Sequence, residues 1–326
     1  MMNKIKWGVV GLGNIAHKFC EAIQDLENAE LYAVCSRSID KSQAFGSKYG
    51  VSLKRCYDTY EALLQDDAVD AIYIALPNNL HKDASIQALK HKKAVLCEKP
   101  ATINTKDLIE ILAVAKDNNT FFMEAMKNRF TPAIKSVKNM LENNHIGTIQ
   151  YIHADQSFMS EFDPDSRLYQ KEMGGGALLD IGVYPLSLYQ YLFDQPLINI
   201  NSQLTYLNDT VDTAFMMMAQ NSNNTNIHMF ASIQAISSRN FLIAGTKGFI
   251  EIPMFSNPQS YRVSLHNQVE TFEFKHLCNG MEYQIEEASR CILNNQLESP
   301  HMTWEDSLIV SQWVDTIFKL SEREMD

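Results

Sequence analysis

Ile5-Lys6-Trp7-Gly8-Val9-Val10 runs directly into Gly11-Leu12-Gly13-Asn14-Ile15-Ala16, and the junction of these two stretches decides how the chain is read. The first stretch is short, mostly apolar and ends in a glycine, as a strand buried on both faces does. The second has the form G-x-G-x-x-A. Its first glycine permits a tight turn, its second lets a backbone approach a pyrophosphate, and its small final residue lets the following helix pack close to the strand. A helix that opens here presents free N–H groups and a positive dipole end to phosphate. The competing reading is a tight strand–helix turn with no ligand. Position favours the ligand, because the pattern follows the first strand and precedes a βαβ unit. Gly11, Gly13, Asn14 and Ile15 are therefore expected to bind a dinucleotide.

Outward from that turn, apolar runs at 5–10, 31–35, 71–76, 94–97 and 121–123 alternate with helix-period segments at 15–26, 41–49, 60–64, 80–91 and 105–118. Alternation of this kind builds a parallel, doubly wound sheet covered on both faces. The pattern changes near residues 125–130. A helix is predicted over 131–141, beginning at Pro132, then a strand over 148–156 and a helix over 177–193. Only strand-like runs follow, at 198–206, 211–220, 227–234, 241–244, 249–252, 261–266 and 271–274. Neighbouring strands without helices between them predict a large, open, mostly antiparallel sheet. Helices over 282–295 and 305–320 close the chain. The expected fold is thus α/β, a Rossmann-type domain over 1–125 and an α+β domain over 126–326. The last helix, 305–320, is free to pack back on the first domain.

The chain has 326 residues and a formal net charge of −11. Two domains fit that length. The acidity argues against nucleic acid as a partner, since binding it needs a basic stripe. No run approaches the roughly 18 apolar residues of a membrane span, and the N-terminal stretch 1–7 lacks the apolar core of a leader. Six cysteines without a C-x-x-C pair fit a reduced, cytoplasmic setting. Nine histidines form no H-E-x-x-H or Cys/His cluster, so no metal is expected.

Cofactor choice turns on the end of the second strand. A site for NAD carries a carboxylate there for the ribose 2′-hydroxyl. This chain has Cys35-Ser36-Arg37-Ser38, whose guanidinium and hydroxyls suit a 2′-phosphate. NADP is expected ahead of NAD, with Ser36 and Arg37 as contacts. The third and fourth runs end in Leu76-Pro77-Asn78-Asn79-Leu80-His81 and Cys97-Glu98-Lys99-Pro100, again at strand carboxyl ends where ligands lie. Leu76, Pro77, Asn78, His81, Glu98 and Lys99 join the expected cofactor site. Lys99 in isolation reads as a solvent-facing strand end. Beside a nicotinamide it could assist proton transfer.

These residues, with Gly174-Gly175-Gly176-Ala177-Leu178-Leu179-Asp180-Ile181-Gly182, resemble the Gfo/Idh/MocA family of oxidoreductases. The resemblance covers much of both halves. It implies a small-molecule substrate and a second domain whose open sheet carries substrate contacts and often a subunit interface, hence a homodimer or higher homo-oligomer. Much of the family places a histidine shortly after Asp-x-Gly. Here Val183-Tyr184-Pro185 follows, which is similar to the dimeric dihydrodiol dehydrogenase branch. The expectation that follows is hydride transfer between nicotinamide and a hydroxyl or carbonyl carbon of a sugar, polyol or diol. Tyr184 would be the general acid/base, Lys99 would favour its phenolate, and Asp180, four residues before Tyr184 on one helix face, would orient Lys99 or bind substrate. A buried helix tyrosine is the ordinary alternative for Tyr184. Arg129, near the domain junction, is a further cofactor candidate, and His153, Arg167, Tyr169 and Tyr283 are candidates for the substrate wall. The rival to an enzyme is a non-catalytic NADP-binding sensor on the same scaffold. Binding alone needs neither Lys99 nor Tyr184.

Overall fold

The computed structural model describes residues 4–207 and 210–322; residues 1–3, part of the stretch read for a leader, lie outside them. The chain forms two compact units, Met1–Met126 with Leu277–Trp304, and Lys127–His276 with Glu305–Asp326.

Unit 1 holds β1 (Ile5–Val10), α1 (Asn14–Ala22), β2 (Ala29–Cys35), α2 (Ile39–Lys48), β3 (Cys56–Tyr57), α3 (Tyr60–Leu64), β4 (Ala71–Ile74), α4 (His81–Lys90), β5 (Ala94–Glu98), α5 (Thr105–Asp117) and β6 (Phe122–Ala125). The strands form one sheet in the order β3-β2-β1-β4-β5-β6, and every pair is parallel. This is the doubly wound sheet expected from the alternation, with one strand added. β3 has two residues, too few to leave a periodic signal, and exists because Cys56 and Tyr57 pair with Val34 and Cys35. All four residues of β4 are buried, as a strand covered on both faces requires. Phe19 stacks on Tyr73 at 4.0 Å and meets Trp7 edge-on at 5.8 Å, which fixes α1 to the sheet.

Unit 2 begins with α6 (Pro132–Glu142), β7 (Ile149–Ser157) and α7 (Val183–Phe193), continues through β8 (Leu197–Leu207), β9 (Val211–Asn221), β10 (Asn226–Ser232), β11 (Asn240–Gly245), β12 (Gly248–Pro253), β13 (Ser260–Leu265) and β14 (Gln268–Glu273), and ends in α9 (Trp304–Glu322). These eight strands order as β14-β13-β12-β11-β7-β10-β9-β8. Only β7 and β10 run parallel; the other pairs are antiparallel. One face is core: Ile152, Ala154, Phe215, Met217, Ile227, Met229, Phe241, Ile243 and Ile250 are buried. Alternation then turns Tyr151, Met216, Met218 and Phe249 outward, 37–56 % exposed.

The intervening α8 (Glu282–Leu293) belongs to unit 1, which differs from the expected division at residue 125. The Trp7 indole donates to Ser289 Oγ (3.0 Å), the Asn28 amide to Glu286 O (2.9 Å), and Phe122 N–H to Leu297 O (3.0 Å). α9, the helix left free by the sequence, lies with unit 2 from Glu305 onward, where Trp313 packs against Tyr189.

Candidate functional site

In unit 1 the strand order reverses between β1 and β4, and the crevice at their carboxyl ends is where a doubly wound sheet takes its ligand. The two glycines of the first turn do different work there. Gly11 has φ +88°, and a Cβ on it would overlap the Ala75 carbonyl, so it is required by the turn itself. Gly13 has φ −96° and ψ −168°, ordinary for any residue, and a Cβ on it would meet nothing within 4 Å. Its smallness keeps space open in front of α1. That helix has no side-chain N-cap bond and no acid in its first turn. Gly13 and Asn14 are exposed and Ile15 half-buried, so the helix N-terminus is accessible to an anion. The residues present fit a dinucleotide pyrophosphate.

Beyond β2, Ser36 and Arg37 divide their labour differently from the expectation. The Ser36 hydroxyl turns inward, donating to Ser38 O (2.9 Å) and lying 3.0 Å from Ser42 Oγ, which itself donates to Tyr57 O (2.7 Å). Ser38 caps α2 by accepting from Lys41 N. The serines build the turn and keep their donors within it. Arg37 is exposed and makes no hydrogen bond or ion pair among the described residues. It is the group there that is available to a phosphate.

The ends of β4 and β5 are tied together by His81. Its ring is fully buried, with Nδ1 2.8 Å from Pro100 O and Nε2 2.8 Å from Leu76 O. Whichever tautomer it takes, at least one of these is a donated hydrogen bond. His81 was expected to touch cofactor; its burial and these contacts make it a clamp between Leu76-Pro77-Asn78 and Glu98-Lys99-Pro100. Asn78 is likewise buried, whereas Leu76, Pro77 and Lys99 are half-buried. Glu98 accepts from the Tyr73 hydroxyl (2.5 Å) and from Lys99 N (3.3 Å). Burial, reinforced by this carboxylate, pushes the Tyr73 phenol well above its usual pKa, so it stays protonated and donates. Glu98 thereby holds the backbone that carries Lys99.

In unit 2, Arg129 departs from the cofactor contact expected of it. It is fully buried; Nε donates to Ser187 Oγ (2.8 Å), Nη1 pairs with Asp306 Oδ2 (2.9 Å), and the guanidinium lies over Tyr191 at 5.5 Å. A buried guanidinium needs a countercharge, and α9 supplies it. His153 is also misplaced by the sequence reading. It lies on the outward face of β7, with Nδ1 3.0 Å from His228 Nδ1. Tyr283 sits half-buried on α8, in unit 1. Tyr169 is buried, and its hydroxyl donates to Ser160 O (2.9 Å).

Asp180 and Tyr184 stand on a continuous helical stretch, but its opening, Leu178–Gly182, is a π-turn, a local form often found at functional sites. Asp180 is buried and pairs with Arg167 at 3.2 Å. From Val183 to Leu192 every residue is buried except Tyr184. The glycine triplet before this turn is a packing device. Gly174 takes φ +70°; a Cβ on Gly175 would press on the Arg167 and Leu168 carbonyls, and one on Gly176 would overlap Asp212 Oδ1. Asp212, which the sequence reading missed, accepts from Leu178 N–H at 2.7 Å and so caps the turn. Its signal was present as an acid inside the apolar strand Val211-Asp212-Thr213-Ala214-Phe215. Burial raises its pKa to about 7. A cavity of about 490 Å³ bordered by Leu141, Phe193 and Asn223 lies at the opposite end of α7 and is lined by no ionisable side chain. Among the described residues no group of three or more His, Cys, Asp or Glu is placed to hold a metal ion, and no helix is long and apolar enough to cross a membrane.

A parallel sheet with an open first helix, joined to a second unit that carries an acid and a tyrosine on one turn, is the build of a two-unit nicotinamide oxidoreductase. Residues 5–126 match the family model of oxidoreductases with an NAD-binding Rossmann fold, and residues 134–251 match the GFO/IDH/MocA C-terminal domain. The chain belongs to the GFO/IDH/MocA family of oxidoreductases, and it is an enzyme of the dehydrogenase/reductase type. Trans-1,2-dihydrobenzene-1,2-diol dehydrogenase of Xenopus tropicalis is 30 % identical over 95 % of this chain and 96 % of its own length. The scyllo-inositol 2-dehydrogenase (NADP(+)) of Bacillus subtilis is 30 % identical over 94 % of both. A 3-ketoreductase from Actinomadura kijaniata, solved with NADP and TDP-benzene, superposes with a TM-score of 0.87 at 26 % identity, covering 97 % of this chain and 98 % of that one. An aldose–aldose oxidoreductase from Caulobacter crescentus shares the fold, with a TM-score of 0.91 at 21 % identity over 99 % and 98 % of the two chains.

Proposed function

We propose that this protein is an NADP-dependent oxidoreductase that interconverts a hydroxyl and a carbonyl on a sugar, polyol or diol-like small molecule, with Tyr184 as general acid/base and Lys99 as its electrostatic partner. The observation that carries this reading is that Tyr184, half-buried one turn beyond Asp180, is the residue of Val183–Leu192 that is not fully buried. A tyrosine kept for packing would be buried like its neighbours.

When bound, NADP accepts the hydride of alcohol oxidation or, reduced, donates it to a carbonyl. Gly13 and the α1 N-terminus would hold its pyrophosphate, and Arg37 its 2′-phosphate. The NADP(+) in the name of the inositol dehydrogenase and the NADP bound by the ketoreductase support this preference. Tyr184 takes the substrate hydroxyl proton in oxidation and returns one in reduction. An ordinary tyrosine has a pKa of about 10, and a lysine ammonium near it favours the phenolate; that is the part given to Lys99. Asp180 is a polar group of the same site. The diol and inositol dehydrogenases among the relatives support a hydroxyl-bearing substrate.

The outward face of the eight-stranded sheet, with Tyr151, Met216, Met218 and Phe249 exposed, supports self-association through that face. A cytoplasmic setting fits the six free cysteines. Turnover of hydroxylated substrates with NADP+, followed by nicotinamide absorbance, tests the reading. Tyr184→Phe and Lys99→Met should each lower kcat at least about 100-fold while NADPH still binds. Wild-type turnover in Tyr184→Phe would reject the assignment.

A further inference from the structure

His153 and His228 form an ionisable pair that the proposed chemistry does not use. They stand opposite each other on the parallel strands β7 and β10. Both are half-buried, and one ring donates its Nδ1–H to the Nδ1 of the other across 3.0 Å. Tyr151 lies beside His153, with ring centroids 6.4 Å apart. On the flanking strands Leu242 stands opposite His153 and Met218 opposite His228. The middle of the outward sheet face is therefore apolar, with two imidazoles at its centre.

The pair takes up protons in a definite order. While both rings are neutral, one N–H satisfies both facing nitrogens without solvent. A first added proton leaves that bond intact, because an imidazolium still donates to a neutral ring. Asp155 Oδ1 lies 3.8 Å from His153 Nε2, so His153 is the ring that faces an acid. Burial, and then the charge of His153, push His228 below the usual histidine range. A second proton makes both Nδ1 atoms donors and breaks the bond. The other charged groups on this face are already engaged. Asp155 accepts from Ser238 Oγ (2.9 Å) and from the Arg239 and Asn240 N–H groups (2.9 and 3.2 Å), and the Arg239 Nε–H donates to Ser157 O at 2.8 Å. Two strands and three strands from His153, Glu251 and Arg262 lie 4.0 Å apart as a pair.

We propose that the His153–His228 pair makes self-association through this face proton-sensitive: two copies of the chain join while the pair is neutral in each and separate as the pairs take up protons. This rests on the reading of the outward sheet face as a subunit interface. A two-fold contact sets one patch against its own copy. A face with an uncharged centre, whose flanking acid and arginine already pair with each other, suits that arrangement. A charge gained at the centre would meet its like in the other copy and be cut off from water, which is costly for an ion without a partner. Joining therefore lowers the affinity of the rings for protons. The contribution to association is complete above the histidine range, about pH 6.5, and is lost as pH falls through and below it. With one proton taken up per chain, the dissociation constant rises by at most about 100-fold per pH unit.

Sedimentation of the full-length protein at about pH 7.5 and about pH 5.5 reads the effect, and the wild-type dissociation constant should rise at least about tenfold at the lower pH. His153→Gln combined with His228→Gln keeps polar, uncharged side chains in both places. It should hold the constant within about twofold across the same range, with the thermal unfolding midpoint as the check on folding. Dilution calorimetry of wild type near pH 6.5, in two buffers of different ionisation enthalpy, needs no variant and should show protons taken up on separation. A wild-type constant that does not change with pH, separation without proton uptake, or a double variant that keeps the wild-type pH dependence each overturns the role given to the pair. Wild type that is a monomer at the higher pH, or an oligomer left intact by Met216→Glu with Met218→Glu, removes the reading of the face itself and this inference with it.

Discussion

Gly176 and Asp212 approach so closely that a Cβ on the glycine would overlap the carboxylate, and that carboxylate accepts from Leu178 N–H at 2.7 Å at the start of the turn that carries Asp180 and Tyr184. The glycine is therefore part of the cap, and the cap sets where the candidate acid/base begins its helix.

Replacing Gly176 by alanine should destabilise the protein by about 2 kcal/mol or more, since φ is +104° and the added methyl displaces a buried carboxylate. Urea unfolding should show the loss, and kcat should fall with it because the turn is displaced.

Asp212 predicts a pH dependence. Its pKa rises to about 7 in the fold through burial, against about 3.9 in an unfolded chain. Between these values the folded state holds a proton that the unfolded state has released. The folded state is thus favoured at low pH, and this contribution to stability is lost as pH rises from about 4 through 7, by at most about 4 kcal/mol. Asp212→Asn should remove that slope. Unfolding curves at several pH values across this range should show wild type losing stability relative to the variant; parallel curves would contradict it.

The first two motif glycines should separate in experiment. Gly13→Ala places a methyl in open space, with a stability change of no more than about 1 kcal/mol as a helix-cap substitution. It should still weaken NADPH binding about tenfold or more, measured by nicotinamide fluorescence. Gly11→Ala should destabilise the fold itself, because it collides with the Ala75 carbonyl.

Arg37→Ala should cut kcat/KM for NADPH by roughly 10- to 100-fold, the value of a charge-assisted contact, and leave NADH almost unchanged. Ser36→Ala should show the smaller cofactor effect, because the Ser36 hydroxyl is turned into its own loop.

Met216→Glu combined with Met218→Glu puts two charges on the outward sheet face, 40 % and 56 % exposed in one chain. Light scattering should show a lower mass than wild type if that face joins subunits. An unchanged mass would place the interface elsewhere or leave the protein a monomer.

Much of this was legible in the residues. The Gly11–Ala16 turn, the alternation that follows it and the eight strands of unit 2 are local patterns, set by side-chain period and turn chemistry, and these survive whatever the rest of the chain does. Arg37 and the Asp180–Tyr184 spacing were legible for the same reason. The sequence could not say which side chains are consumed by distant partners. His81 became a clamp because Pro100 and Leu76 present carbonyls to it, and Arg129 became a buried strut because Asp306 returns to it from the last helix. The two residues of β3, the attachment of α8 to the first sheet and the Asp212 cap were decided by tertiary structure alone. Hydrogen bonds and burial depend on what folding brings across the chain, and local periodicity carries no record of it.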